Sequence, residues 1–182
     1  MSHTLVNQQV PDVVFKTRVR DESVGGPNPY RWQDMRTHAY FAGKKVVVFS
    51  LPGAFTPTCD TYQLPGFEKN FDQFRQLGVD EIYCISVNDA FVMNAWAKSQ
   101  NLNHVKVIPD GSGEFTRLMG MLVKKDNLGF GMRSWRYAMI VVDGEIKWLG
   151  EEEGKSDNFD SDPYEVTTPV SVLAQLYCMT DE

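Results

Sequence analysis

Lys45-Val46-Val47-Val48-Phe49-Ser50-Leu51 is a β-branched run with apolar residues on both of its faces, the pattern of a strand covered on two sides. We read it as a central strand. The chain leaves it through Pro52-Gly53-Ala54-Phe55-Thr56-Pro57-Thr58-Cys59. Over residues 59–77, Phe67, Phe71, Phe74 and Leu77 then recur at spacings of four, three and three, which is one helical face. Gly78 supplies the stop. Residues 81–87 read as a second buried strand, and Asn88 or Asp89 caps a helix running to about Gln100, so the order is β-α-β-α. Residues 105–108 form a third short strand closed by the turn Pro109-Asp110-Gly111, and a short helix covers about 113–119.

Beyond a loop carrying Gly129 and Gly131, two apolar runs, 137–142 and 145–149, flank Asp143-Gly144, and an Asp-Gly pair in that setting is a strong hairpin signal. Residues 169–177 suggest a final helix with Pro169 at its start. Residues 13–20 add a strand or hairpin. The expected fold is therefore α/β and thioredoxin-like: a central mixed β-sheet flanked by helices, with an N-terminal strand or hairpin extension. Neither an internal repeat nor a Gly/Ser linker divides the chain, so residues 1–182 are read as a single domain, with an acidic loop at 151–168 inside it.

A chain of 182 residues is long enough to bury roughly 70% of the surface it exposes when unfolded. Its ordinary share of apolar and charged residues excludes collagen, coiled coil and wholesale disorder. The longest apolar stretch, Tyr137–Val142, has six residues, where a membrane span needs about twenty. Residues 1–12 have neither a basic start nor an apolar block, so the expectation is a cytoplasmic protein without membrane segment or export signal. Net charge is −6, and residues 151–165 carry all of it, with seven acids against Lys155; the remainder balances at 17 of each sign. Without a basic surplus there is no electrostatic footprint for nucleic acid or an anionic membrane.

The loop from Pro52 to Cys59 follows the carboxyl end of the central strand, which is where open α/β sheets place their ligands. Cys59 falls in the first turn of the next helix, where unpaired backbone N–H groups and the macrodipole favour a thiolate. Thr56, three residues earlier, can bring its hydroxyl to that sulfur, and Pro52 and Pro57 stiffen the loop. A lone cysteine is most often a small buried hydrophobe. That reading suits Cys84, inside an apolar strand, and Cys178 looks incidental after the last helix. Three cysteines at wide spacing fit neither a disulfide framework nor a zinc site, and His3, His38 and His104 lack metal-ligand spacing. No metal and no bound cofactor are expected. A Cys59/His104 hydrolase pair is disfavoured by the surroundings of Cys59, and the lack of Cys-x-x-Cys argues against a disulfide reductase.

The run Pro52-Gly53-Ala54-Phe55-Thr56-Pro57-Thr58-Cys59 resembles the peroxiredoxin motif Pro-x-x-x-Thr-x-x-Cys in its peroxiredoxin-five form. Leu64-Pro65-Gly66-Phe67, Ser86-Val87-Asn88-Asp89-Ala90-Phe91-Val92 and Trp135-Arg136-Tyr137-Ala138-Met139 extend the likeness over about 10–150. Gly129-Phe130-Gly131-Met132-Arg133-Ser134-Trp135-Arg136-Tyr137 is most similar to the peroxiredoxin half of bacterial peroxiredoxin–glutaredoxin hybrids, whose glutaredoxin part has no counterpart here. By this resemblance Cys59 attacks peroxide, Thr56 is its hydroxyl partner, Pro52 shields it and Arg136 activates it. Arg133 is a weaker second candidate for the cation.

The resemblance implies an oxidoreductase that reduces hydrogen peroxide and alkyl hydroperoxides through a Cys59 sulfenic acid, in antioxidant defence and redox homeostasis. Some relatives carry a resolving cysteine in the region matching 166–170, and this sequence has none there. One catalytic cysteine, an external thiol such as glutathione with glutaredoxin, and a noncovalent homodimer are therefore expected. A peroxide sensor or holdase would share Cys59 without sustained turnover. A redox-inactive interaction module would keep the fold but lack a fast-reacting thiol.

Overall fold

The computed structural model describes residues 3–180. An N-terminal antiparallel hairpin joins β1 (Val14–Arg20) to β2 (Tyr30–Arg36) and leads through the short helix α1 (Thr37–Phe41) into β3 (Lys45–Ser50). A π-helical turn (Cys59–Gln63), α2 (Leu64–Lys69) and α3 (Phe71–Gln76) return the chain to β4 (Glu81–Ser86). Next come α4 (Ala90–Ser99), β5 (Lys106–Pro109), α5 (Glu114–Leu118) and the short strands β6 (Leu122–Lys124) and β7 (Met132–Ser134). The hairpin β8 (Tyr137–Val142)/β9 (Glu145–Glu151) and α6 (Pro169–Thr180) complete the fold. The main sheet has the order β5-β4-β3-β8-β9, parallel among β3, β4 and β5 and antiparallel to either side of β8. Among the described residues no helix is long and apolar enough to cross a membrane.

Alternation sorts the sheet's side chains into two cores. Val47, Phe49 and Leu51, with Ile82, Cys84, Ala138 and Ile140, face one layer holding Phe67, Phe74, Met93, Trp96 and Leu176. Val46, Val48, Tyr83, Ile85, Tyr137 and Met139 face the other, with Phe15, Phe41, Phe115 and Met121. The double-faced run at 45–51 is thus a middle strand with a core on each side. Its period also decides the site. Odd residues 135 and 137 point into the second core, so Arg136 is sent with Ala138 to the face that carries Cys59.

Two readings from sequence are corrected. The helix expected over 59–77 is three pieces, because Asn70 (φ −97°, ψ 10°) turns its amide onto the Gly66 carbonyl at 2.7 Å and interrupts the ladder. The loop around Gly129 and Gly131 proves to be the tip of the β6/β7 hairpin, with both glycines at positive φ and Lys125 N–H bonded to the Gly131 carbonyl. The Asp143-Gly144 turn has both residues at positive φ, as a two-residue hairpin requires.

The acidic segment is an ordered loop rather than a solvated tail. Glu152 is buried, and its carboxylate accepts from the backbone of Glu165, Val166 and Thr167 and from the Thr167 hydroxyl, pinching the two ends of the loop together. Asp157 accepts from Lys124 N–H, Asn158 N–H donates to the Lys124 carbonyl, and Phe159 stands edge-on against Trp135. This fastening lays residues 157–163 across the face on which Arg136 emerges.

Candidate active site

The loop after β3 is held from below. Asn88 Oδ1 accepts from Ala54 N–H at 3.0 Å and from the Ser86 hydroxyl at 2.6 Å, while Asp89 caps α4 through Val92 N–H. Asp60 accepts from Trp96 Nε1 and Gln100 Nε2, both at 2.7 Å, tying the first turn to α4. The first helical hydrogen bond runs from Asp60 N–H to the Thr56 carbonyl, so Cys59 lies in the opening turn. Phe55 adopts a left-handed conformation (φ 65°), which costs about 1–3 kcal/mol in a bulky residue. The anchors on either side, at Ala54 and Asp60, hold it there.

Cys59 Sγ is fully buried and accepts from Arg136 Nη1 at 3.4 Å. The guanidinium is itself enclosed, 2% exposed, and nearly every donor is assigned. Nη1 also donates to Gln63 Oε1, Nη2 donates to Asp162 Oδ1 at 2.5 Å, and Nε donates to the Pro163 carbonyl at 3.2 Å. The Tyr164 ring lies under the cation, 5.5 Å from centroid to Cζ. Burial works against the charge of Arg136, but its neighbours Cys59 and Asp162 outweigh it, and the net effect holds Arg136 more firmly protonated than usual. A cation that cannot lose its proton beside a sulfur is the arrangement that steadies negative charge on that sulfur.

The sequence-derived candidates are placed as follows. Cys59 and Arg136 are in direct contact. Pro52 is buried beside them, and its carbonyl accepts from Arg133 Nη1 at 3.2 Å. Gly53 makes that approach possible, since a Cβ there would collide with the Arg133 guanidinium. Arg133 therefore braces the loop rather than touching the sulfur, and burial lowers its proton affinity. The Thr56 hydroxyl donates to the Gly53 carbonyl at 2.7 Å instead of to the sulfur, which leaves its lone pairs for an incoming O–H. Cys84 is buried in β4. Burial first, and the charge of Cys59 second, push its thiol well above the ordinary range, so it stays neutral. Cys178 is exposed on α6.

Three contributors were not singled out from sequence. Gln63 is fully buried one helical turn after Cys59, and a polar residue there reads as solvated. Asp162 lies inside a run of acids that looks like a surface feature. Lys125, 4% exposed, sits at the β6/β7 tip with its ammonium 5.5 Å from the Trp135 ring, and burial lowers its proton affinity. Only the spacing of Gln63 from Cys59, which places both on one side of the turn, offered a usable signal.

A cleft of about 410 Å³ opens against Pro52, Thr56, Thr58, Lys125 and Asp162, with Leu128, Phe130 and Phe159 as apolar walls. Asp162 stands between this cleft and Arg136, its side chain 45% exposed. An oxygen arriving on Nη2 must share that nitrogen with the carboxylate. A half-exposed ion pair is worth up to about 1 kcal/mol, so Asp162→Asn, which keeps the shape and removes the charge, is expected to speed Cys59 oxidation about two- to fivefold. Stopped-flow tryptophan fluorescence with peroxide measures this, and a slower variant would show that Asp162 orients Arg136 instead of competing for it.

A redoxin family model matches residues 6–165. A peroxiredoxin of Rhizobium etli is 63% identical over 92% of this chain and 94% of its own length. The hybrid peroxiredoxin hyPrx5 of Haemophilus influenzae is 43% identical over 95% of this chain and 66% of its own. The crystal structure of a Plasmodium falciparum antioxidant protein, a 1-Cys peroxiredoxin, superposes with a TM-score of 0.87 at 38% identity, covering 94% of this chain and 99% of that one. A family model spanning most of the chain, and a relative this similar along nearly its whole length, leave one placement: this protein belongs to the redoxin family and, within it, to the peroxiredoxins, enzymes that reduce peroxides at a cysteine.

Proposed function

We propose that Cys59 is the only catalytic cysteine, that it reduces hydrogen peroxide and alkyl hydroperoxides, and that glutathione with glutaredoxin restores it. The observation that carries this reading is the buried contact of Cys59 Sγ with Arg136 Nη1 at 3.4 Å. The Cys59 thiolate attacks the terminal peroxide oxygen, the O–O bond breaks, and the leaving oxygen takes a proton to depart as water or an alcohol, with sulfenic acid left on Cys59. Arg136 stabilises charge on the sulfur and on the leaving oxygen, and Thr56 accepts from the peroxide O–H. Pro52 keeps bulk water from the sulfur. The apolar walls beside the site suit the alkyl part of an organic hydroperoxide.

Recycling then runs through an outside thiol. It displaces water from the sulfenic acid to give a mixed disulfide, and a second thiol releases Cys59. Cys84 supports this choice, since a neutral thiol held in a buried strand is a poor attacking group. The similarity to a hybrid peroxiredoxin favours glutathione and glutaredoxin over thioredoxin. We place the protein in the cytoplasm as a noncovalent homodimer.

The test is turnover of peroxide with glutathione and glutaredoxin for wild type, Cys84→Ser and Cys178→Ser, with intact mass after one equivalent of peroxide. All three proteins are expected to recycle. Wild type should gain one oxygen and then, with glutathione present, lose it as water in exchange for one glutathionyl group. Loss of recycling in Cys178→Ser, or a wild type that instead loses two hydrogens to an internal disulfide, would overturn the single-cysteine mechanism.

A further inference from the structure

We infer that Lys125 and the apolar walls beside it form a subsite for hydroperoxides that carry a carboxylate, the ammonium holding the acid group while the peroxide end reaches Cys59; the inference rests on the peroxidase reading above. Lys125 is the only buried lysine among the described residues. It stands with Pro52, Trp135, Arg136 and Asp162 around the inner end of the active-site cleft. Its backbone is fixed in the β6/β7 tip, where its N–H donates to the Gly131 carbonyl and its carbonyl accepts from the Leu128 and Phe130 N–H groups. The side chain is thus presented from a rigid turn. Among the described residues the ammonium has no hydrogen-bond acceptor. The Trp135 ring supports it from one side at 5.5 Å, and Asp162, the carboxylate that acts on it most strongly, is bonded to Arg136 Nη2 instead.

A buried ammonium without an acceptor is unfavourable, and a residue kept for packing alone would be apolar. Burial lowers the proton affinity of Lys125, so a carboxylate placed against it stabilises the charged form. The rest of the cleft describes the remainder of the ligand. Its volume of about 410 Å³ suits a small organic molecule, and hydrogen peroxide alone needs far less. Leu128 is 57% exposed, and with Phe130 and Phe159 it makes a wall that an alkyl or aryl group would cover. Thr56, on the same cleft, keeps lone pairs free for an O–H. A hydroperoxide with an acid at one end and an apolar body therefore meets Lys125, the wall and Thr56 together. Asp160 and Asp162 also line the cleft, and without Lys125 they would repel the same ligand. Glutathione carries carboxylates too, but it has nothing for the apolar wall, so the lining favours the hydroperoxide.

The probes are para-carboxy cumene hydroperoxide and 4-hydroperoxy-4-methylpentanoic acid, one rigid and one flexible, each paired with its methyl ester. Stopped-flow oxidation in the absence of thiol gives an acid-to-ester rate ratio for each pair, and any general effect of a substitution on Cys59 divides out of it. Wild type is expected to react about tenfold faster with the acid of at least one pair, the gain from one charge-assisted hydrogen bond. In Lys125→Met, which keeps the stem and removes the charge, the acid should lose its advantage. Lys125→Gln serves the same purpose if the methionine variant lacks a cooperative thermal transition. A wild-type preference below about twofold in both pairs overturns the inference, and so does a preference that survives in the variants. If the substitutions leave the ratio intact and instead slow capture of the sulfenic acid by glutathione, the ammonium serves the thiol and the inference also fails. Binding of 4-isopropylbenzoate, an unreactive mimic of the first acid, is followed by tryptophan fluorescence and should weaken about tenfold in Lys125→Met. This arm needs no peroxide, so failure of the peroxidase reading shows separately, as slow oxidation of wild type by every hydroperoxide.

Discussion

Cys59→Ser should leave a folded protein with no measurable peroxide reduction. Serine differs from cysteine by one atom and fits a site that is fully enclosed between the opening turn and Arg136. The fold's anchors near this point, Asp60 to Trp96 and Gln100 and Asn88 to Ala54, do not involve the sulfur, so the thermal midpoint should barely move. The chemistry, however, needs a nucleophile that is ionised or nearly so at neutral pH. A hydroxyl is not, and among the described residues neither a carboxylate nor a histidine hydrogen-bonds the Cys59 side chain to take its proton. Enzymes of this kind accelerate their reactions by about 10⁶ or more, and without the thiolate that whole factor disappears. Peroxide consumption with thiol supplied is the measurement, and activity above a trace would remove Cys59 from the mechanism.

Arg136→Lys tests the second largest effect. Complete ionisation of an ordinary thiol at pH 7 gains only about thirtyfold, so most of the acceleration has to come from placing charge and donors against the transition state. Lysine keeps the charge, yet its compact ammonium has no fork: it cannot serve Cys59 and Gln63 from one nitrogen while Nη2 and Nε meet Asp162 and Pro163. Losing one aligned donor at a developing anion costs about a hundred- to a thousandfold in rate. The second-order rate of Cys59 oxidation should fall by that factor while alkylation by iodoacetamide falls far less. Oxidation at the wild-type rate would mean that the fork is not used.

Much of this arrangement was legible in the sequence. The two-faced runs at 45–51 and 81–87 locate the middle of the sheet, and Asp143-Gly144 fixes the hairpin whose parity sends Arg136 toward Cys59. The break at Asn70 was hidden because Phe67, Phe71 and Phe74 keep helical spacing across it, and all three remain buried on the same layer. The β6/β7 hairpin escaped notice for the opposite reason: its strands have three residues each, too few for a period to develop. Asp162 and Glu152 were invisible for want of context. A run of acids has no periodicity, and only tertiary structure shows that one carboxylate faces a buried cation and another is caged by backbone N–H groups.

The two halves of the site stand 77 residues apart, with β8 paired to β3 to bring them together. On a ribosome adding about 5–20 residues each second, Cys59 emerges roughly 4–15 seconds before Arg136. During that interval the chain carries a cysteine with no guanidinium beside it and no crossing loop above it. On the proposed mechanism, its reactivity toward peroxide arrives only when β8, the strand that follows Arg136, pairs with β3. On that mechanism, a cell making this protein under oxidant load exposes no primed thiol on its unfinished chains.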